Sequence, residues 1–229
     1  MTYRYETHLH TSPSSKCAGA GVAETVAFYK QIGYAGIFIT NHFMDGNAGG
    51  DRSLPYEEQL DFYFADYYEA KKLETEDFSV FLGVENNYLG AHFLIYGLAP
   101  AWYYAHPECL TLKKNVLLPM LQEEGALVIQ AHPFREDKWI PHFSLFPRAV
   151  HGVEIVNSSR PDLENEMALP YADHYGLLHF AGSDNHTAAA HRRLGGMEGN
   201  VRIRDEVDFV RLVLNREMQP FVIDNPLRK

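Results

Sequence analysis

The feature that most constrains the fold of this sequence is the alternation of short strand-like runs with amphipathic, helix-like stretches along nearly the whole chain. Such alternation is typical of βα units arranged around a mostly parallel sheet. A chain of 229 residues can bury the core of one such domain without disulfides. We therefore predict one α/β domain over 1–229, built as a closed or nearly closed barrel, with an open doubly wound sheet as the alternative.

The predicted strands are short apolar runs. They cover 3–7, 36–40, 80–83, 93–97, 127–131, 153–156, 177–181 and 221–223. The predicted helices have amphipathic periodicity, and three are followed by the glycine that commonly closes a helix. They cover 22–32, 56–73, 112–124, 163–175 and 206–215. Three polar or glycine-rich segments, 43–55, 133–147 and 186–199, are interpreted as loops.

Charge and cysteine content exclude several classes of protein. The chain has 20 Lys and Arg against 30 Asp and Glu, which disfavours long nucleic acid and anionic membranes as partners. A small phosphorylated substrate stays possible, because bound cations reverse the local field. Two cysteines, Cys17 and Cys109, are too few for a disulfide framework. With no bilayer-spanning apolar segment and no secretion-signal layout at the start, we expect a cytoplasmic protein of open oligomeric state.

Histidines and carboxylates follow five of the predicted strands, each at the carboxyl end of the strand. They are His8 and His10, His42, Glu85, His132, and Asp184 with His186. Barrel folds place their active sites at this end, where side chains from distant sequence positions converge. Any one of these residues alone is more simply explained as a surface or turn residue. Chance should not place all of them at one edge, so together they predict a shared site.

The residue types predict a metal cluster. His8 and His10 project from the same side of an extended chain, so one cation can bind both imidazoles. Carboxylates such as Glu85 and Asp184 can bridge two cations and offset their charge. Mixed histidine and carboxylate ligands suit Zn, Mn or Fe better than Mg or Ca. We therefore expect two to three divalent metal ions at one mouth of the barrel.

Six segments occur in a characteristic order. They are His8-Leu9-His10-Thr11, Ile39-Thr40-Asn41-His42, Gly83-Val84-Glu85, Ala131-His132-Pro133, Val153-Glu154-Ile155-Val156-Asn157 and Gly182-Ser183-Asp184-Asn185-His186. In this order the sequence resembles the polymerase and histidinol phosphatase (PHP) family of metal-dependent phosphoesterases. The resemblance implies a distorted seven-stranded, TIM-like βα barrel that holds up to three metals.

The resemblance also implies which residues bind each metal. It assigns the first metal to His8, His10, Glu85 and Asp184, the second to Glu85, His132 and His92, and the third to His42 and His186. Lys16 stands near the position where some family members supply a further ligand, which predicts a weak or partly filled third site, although Cys17 could bind as a thiolate. Asn41 replaces a frequent Asp and is expected to alter a hydrogen bond behind the ligands.

The function implied is hydrolysis of a phosphomonoester, as in histidinol phosphatases, by a water activated on a bi- or trinuclear metal site. Asp184 or His186 is expected to assist proton transfer. The candidate phosphate-binding residues are Arg135, Arg160, Lys16 and Arg192. Two alternatives stay open: an amidohydrolase-like enzyme that cleaves C–N or C–O bonds, and a non-catalytic metal-binding PHP module. The identity of the substrate is left open.

Overall fold

The computed structural model describes residues 1–228. The strands are β1 (Tyr3–Glu6), β2 (Gly36–Ile39), β3 (Ser79–Tyr88), β4 (Ala91–Tyr96), β5 (Leu127–Ala131), β6 (Gly152–Asn157), β7 (Leu178–Gly182), β8 (Arg193–Gly199) and β9 (Met218–Asp224). The helices are α1 (Val22–Gln31), α2 (Tyr56–Lys71), α3 (Pro100–Ala105), α4 (Lys114–Glu123), α5 (Asp162–Tyr175) and α6 (Glu206–Leu214). Among these helices, none is both long and apolar enough to cross a bilayer.

The strands form one sheet in the order β7-β6-β5-β4-β3-β2-β1-β8-β9. β1, β2 and β3 pair in parallel, as do β5, β6 and β7, whereas β4 pairs antiparallel with both β3 and β5. The sheet curls until β8 approaches β7, where the Gly195 amide donates to Ser183 Oγ at 2.8 Å. A Cβ on Gly195 would lie 2.6 Å from the Gly182 carbonyl oxygen, so glycine is required for this approach. The predicted barrel-like α/β fold is confirmed.

The interior of the curled sheet is filled by aromatic side chains from several strands. They are Tyr5, Phe38, Phe81, Tyr96 and Phe180. Phe209 of α6 packs against this group, with its ring centroid 4.3 Å from that of Phe38. The barrel therefore has a packed core, and polar side chains are available for chemistry only at its ends.

The structure corrects two parts of the sequence interpretation. The predicted loop over 186–199 contains strand β8, which pairs with β1 and β9 and raises the strand number from the eight predicted to nine, two more than the seven implied by the resemblance. Its glycines lower strand propensity but permit close packing against β7. The predicted strand over 80–83 extends to Tyr88, so Glu85 lies within β3 rather than in a following loop.

Asp208 at the start of α6 provides a prediction about acid stability. Hydrogen bonds from Arg204, together with those from Arg211, hold the pKa of this buried carboxyl well below its usual range. A lowered folded-state pKa contributes stability above the unfolded value of 3.8, and this stability is lost as pH falls further. Asp208→Asn should therefore lower the urea midpoint at neutral pH and flatten its fall on acidification. If the urea midpoints of the native protein and Asp208→Asn fell equally with decreasing pH, Asp208 would not be the source of this acid-sensitive stability.

Candidate metal centre

The eight predicted metal ligands meet at the carboxyl end of the parallel strands. Turns after four strands carry six of them: His8 with His10 after β1, His42 after β2, His132 after β5, and Asp184 with His186 after β7. Glu85 of β3 and His92 of β4 contact each other diagonally across the β3–β4 hairpin. His132 and Asp184 adopt positive φ angles of 27° and 54°. Such strained backbone is uncommon outside glycine and clusters at functional sites. The convergence predicted from the strand ends is therefore present, whereas metal binding by these residues stays a prediction.

Glu85 is the centre of the group. Its side chain is 1% exposed and is surrounded by five imidazoles. The nearest nitrogen-to-oxygen distances are 2.6 Å for His92, 3.3 Å for His8 and 3.5 Å for both His10 and His132, and His42 Nδ1 also contacts the carboxylate. A single carboxylate with this many imidazoles around it is suited to bridging two cations.

Asp184 forms the opposite side of the centre. Its carboxylate lies 3.3 Å from His10 Nε2 and 3.5 Å from both His8 Nε2 and His186 Nδ1. Three groups have ligand atoms within 4.8 Å of one another, as a shared cation requires. They are His8 with His10 and Glu85, His42 with Glu85 and His92, and His10 with His42 and His186. The first matches the expected set without Asp184, the second has His42 in place of the expected His132, and the third adds His10 to the expected pair.

The donor atoms fit divalent cations on physical grounds. His8 Nδ1 lies 2.8 Å from a carboxylate oxygen of Glu154, which makes that nitrogen a donor and leaves Nε2 as the nitrogen that would bind metal once it loses its proton. This Nε2 lies 3.3 Å from His10 Nε2 and 3.3 Å from Glu85. Both ring nitrogens of His132 are buried without a hydrogen-bond partner among residues 1–228. Lone pairs that converge in this way are stabilised by a cation.

Protonation in the centre follows from burial opposed by close charges. Burial would raise the pKa of Glu85, but His92 and His42 outweigh it and hold that pKa well below its usual range. Burial likewise favours a protonated Asp184, but His8 and His10 keep its pKa well below normal. Both carboxylates are therefore ionised and able to bind metal. Bound metal would compete with protons for the imidazoles, so metal affinity should fall in acid.

Glu154 lies behind the candidate ligands and contacts two of them, a placement that was not predicted from the sequence. It is 0% exposed, and besides contacting His8 it accepts hydrogen bonds from the His132 amide at 3.0 Å and from Asn157 Nδ2 at 2.9 Å. One carboxylate thus orients two ligands that are carried by different strands. A charged residue within the apolar run 153–156 was the signal available in the sequence.

Ser15, Asn41 and Asp66 form a polar network behind His10. Ser15 Oγ lies 3.1 Å from His10 Nδ1 and donates to Asn41 Oδ1 at 2.9 Å, while Thr11 Oγ1 donates to Asp66 at 2.7 Å. Asn41 therefore lies behind the ligands and acts through Ser15, as expected. This network fixes the ring of His10 and the chain that follows it.

A cavity of about 460 Å³ opens above the centre. Arg135 and Arg160 line it, whereas Lys16 is exposed and Arg192 lines a neighbouring surface depression. Arg160 is already paired with Glu164, at 2.6 Å from Nε. The Arg135 guanidinium lies 5.2 Å from the centre of the Trp139 ring. Of the four candidate phosphate-binding residues, the structure thus brings two to the site.

Cys17 also lines this cavity. Burial raises the pKa of its thiol, but hydrogen bonds with His186 and His42 outweigh that effect and lower the pKa to about 6. The other cysteine, Cys109, lies outside the cavity, where its sulfur is 3.6 Å from Tyr56 Oη.

Comparison with known proteins identifies the fold. No protein-family model matches the sequence, and no curated protein is detectably similar to it. Solved structures are similar in shape at low sequence identity. A two-domain protein from Bacteroides vulgatus, containing a predicted PHP-like metal-dependent phosphoesterase, has a TM-score of 0.63 at 15% identity. That likeness covers 96% of this chain but only 65% of the Bacteroides chain, so this chain spans under two thirds of its length.

Three further structures cover most of both chains. PsfC from Pseudomonas syringae has a TM-score of 0.65 at 16% identity over 97% of this chain and 91% of its own. A predicted metal-dependent phosphoesterase from Bifidobacterium adolescentis has a TM-score of 0.56 at 15% identity, over 94% of this chain and 96% of its own. An amidohydrolase from Chromobacterium violaceum with bound sulfate has a TM-score of 0.54 at 14% identity, over 94% of this chain and 97% of its own. The chain therefore has the fold of PHP-like metal-dependent phosphoesterases, a fold shared by proteins given more than one activity.

Proposed function

We propose that this protein is a metal-dependent phosphoesterase of the PHP family that hydrolyses a small phosphomonoester. The observation that supports this most directly is the meeting of eight histidine and carboxylate side chains, seven of them buried, beneath a cavity lined by two arginines. Zn, Mn or Fe ions held by these ligands would supply a hydroxide nucleophile near neutral pH and offset phosphoryl charge. The proposed reaction needs no serine or cysteine nucleophile.

In this proposal His186 and Asp184 handle the proton of the reaction. The His186 ring is 25% exposed and donates from Nδ1 to the Asp184 carbonyl oxygen at 2.8 Å. That hydrogen bond leaves Nε2 of the same ring at the cavity, where it would bind metal when the third site is filled and exchange a proton when that site is empty. Asp184, whose carboxylate contacts His8 and His10, holds the ligands in position while His186 exchanges protons with solvent.

An amidohydrolase-like reaction is the second candidate, because a protein with this fold from Chromobacterium violaceum carries that name. Two arginines at the cavity favour an anionic substrate over a neutral amide. The negative net charge of the whole chain favours a small phosphorylated compound over long nucleic acid.

The test compares metal-free protein with protein reloaded with Zn, Mn or Fe. Each form is assayed on p-nitrophenyl phosphate, histidinol phosphate and mononucleotides, beside a set of cyclic amides and esters. Metal-dependent turnover of phosphomonoesters supports the proposal, and turnover of the amides alone favours the second candidate. Full phosphatase activity without metal would contradict it. His174→Gln, a change of an exposed histidine on α5, serves as the control for effects outside the site.

Arg135→Ala is expected to lower kcat/KM for a phosphomonoester by about 10- to 100-fold, because a charge-assisted hydrogen bond contributes roughly 1.5–3 kcal/mol. Arg135→Lys should recover only part of this loss, since lysine lacks the planar fork of donors. Steady-state kinetics at fixed metal concentration provide the measurement. Unchanged kcat/KM in Arg135→Ala would remove this residue from the phosphate site.

A further inference from the structure

The third ligand group has a sulfur atom beside it. His10, His42 and His186 have ligand atoms within 4.8 Å of one another. Cys17 lines the same cavity as His42 and His186, and the backbone amide of His42 donates at 3.0 Å to Ser15 Oγ, two residues before Cys17. The group therefore has a fourth donor close at hand that differs in chemistry from the other three.

The backbone around Cys17 holds this arrangement in place. On one side the Lys16 amide donates to the Asn47 carbonyl oxygen at 3.0 Å. On the other side the Gly19 amide donates to the carbonyl oxygen of His186 itself at 2.8 Å. Ser15, two residues before Cys17, contacts the His10 ring. The turn that carries the thiol is thus fastened directly to two of the three histidines.

We infer that Cys17 is a thiolate ligand of a metal ion held by His42 and His186, an assignment that rests on the metal centre of the proposed function. On binding, the thiol proton is released to solvent and a sulfur-to-metal bond forms. The sulfur and the two imidazoles would then bind one shared cation. Lys16, the exposed residue before Cys17, cannot bind metal while it is charged. Cys17 therefore supplies the metal ligand from this segment in place of Lys16.

A sulfur donor has a consequence for metal choice. Thiolate favours Zn, Fe(II) and Co(II), whereas oxygen donors suit Mn and Mg. The Cys17 site should therefore discriminate against Mn more strongly than the two sites formed around Glu85, whose donors are imidazole and carboxylate only.

The decisive experiment is titration of the metal-free protein with Co(II), monitored by absorption spectroscopy. A thiolate bound to Co(II) produces a charge-transfer band in the near ultraviolet that imidazole and carboxylate ligands do not give. We expect this band in the native protein and in Cys109→Ser, and its loss in Cys17→Ser. Cys109 is the matched control because it is the other cysteine of the chain and is buried beside Tyr56.

Two further measurements strengthen the test. Iodoacetamide should modify Cys17 in the metal-free protein, where the residue is exposed, and at least about tenfold more slowly after Zn loading. Cys17→Asp should retain the metal without the band and shift preference toward Mn. Absence of the band in native protein at saturating Co(II), or its persistence in Cys17→Ser, would overturn the assignment.

These readouts are independent of the reaction. If the protein hydrolyses no phosphoester but shows the Cys17-dependent band, the metal ligand is established and only the proposed function fails. If phosphatase activity is present and the band is absent, the proposed function stands and the sulfur ligand is rejected.

Discussion

Glu85→Gln is expected to lower kcat/KM for phosphomonoester hydrolysis by about 10³-fold or more, since metal ions contribute several kcal/mol to charge stabilisation and each 1.36 kcal/mol is tenfold in rate. The reason is the position of the carboxylate, which lies within 3.5 Å of four histidines and also contacts His42. An amide of the same shape has no charge and bridges cations poorly. Metal analysis after dialysis should show loss of bound metal together with the loss of rate.

Glu154→Gln provides the graded comparison for that experiment. Glu154 contacts His8 at 2.8 Å and the His132 amide at 3.0 Å, so it orients ligands without facing the cavity. Loss of such a supporting carboxylate typically costs 10- to 100-fold in metal affinity or activity. The expected ranking is therefore a large loss for Glu85→Gln, an intermediate loss for Glu154→Gln and little change for His174→Gln. An equal or greater effect of Glu154→Gln would show that Glu85 is not the bridging residue.

The convergence of most of the candidate ligands was predictable from sequence because it depends only on where parallel strands end. Parallel strands bring their carboxyl ends to one edge, so His8, His42 and His132 meet although they are far apart in the chain. The same rule does not apply to His92, which enters from an antiparallel strand, and that residue was assigned only through the family resemblance. Strand direction, which periodicity does not reveal, separates the two cases.

Contacts that depend on side-chain packing were less accessible. The sequence could not show that Arg160 is paired with Glu164, because the partner lies on the following helix and the choice between substrate and carboxylate is geometric. Nor could it show that Lys16 turns outward while its neighbour Cys17 lines the cavity. Strand β8 was missed for a related reason, since its glycines are explained by the close approach to β7 and not by local propensity.

Lys114 and Asp45 form a buried ion pair that supports one side of the centre. Lys114 is 5% exposed, and its Nζ lies 2.9 Å from Asp45 and also contacts Asn86. The other oxygen of Asp45 accepts a hydrogen bond from the Asn87 amide at 3.0 Å. The side-chain amide of Asn87 lies 2.7 Å from His92 Nε2. The pair therefore joins helix α4 and the loop after His42 to the hairpin that carries Glu85.

Lys114→Met is expected to destabilise the fold by about 3–5 kcal/mol, because it leaves the Asp45 carboxylate largely buried and without its partner. The double variant Lys114→Met with Asp45→Asn should recover much of this loss, since no charge is then left uncompensated. Lys72→Met, which breaks an exposed pair with Glu69, is the matched control and should change stability little. Urea unfolding of the metal-free proteins gives the free energies of unfolding.

The same variants separate support of the site from support of the fold. Because the pair connects through Asn87 to His92, Lys114→Met should also weaken metal binding by the group of His42, Glu85 and His92 under conditions where the variant is fully folded. Metal titration at low temperature without urea measures this effect, and the double variant is titrated under the same conditions for comparison. A destabilised Lys114→Met protein that binds every metal as tightly as the native chain would mean that the ion pair stabilises the loop alone. Weaker binding would assign to Lys114 a positioning role. That role would act through Asp45 and Asn87 on the ring of His92.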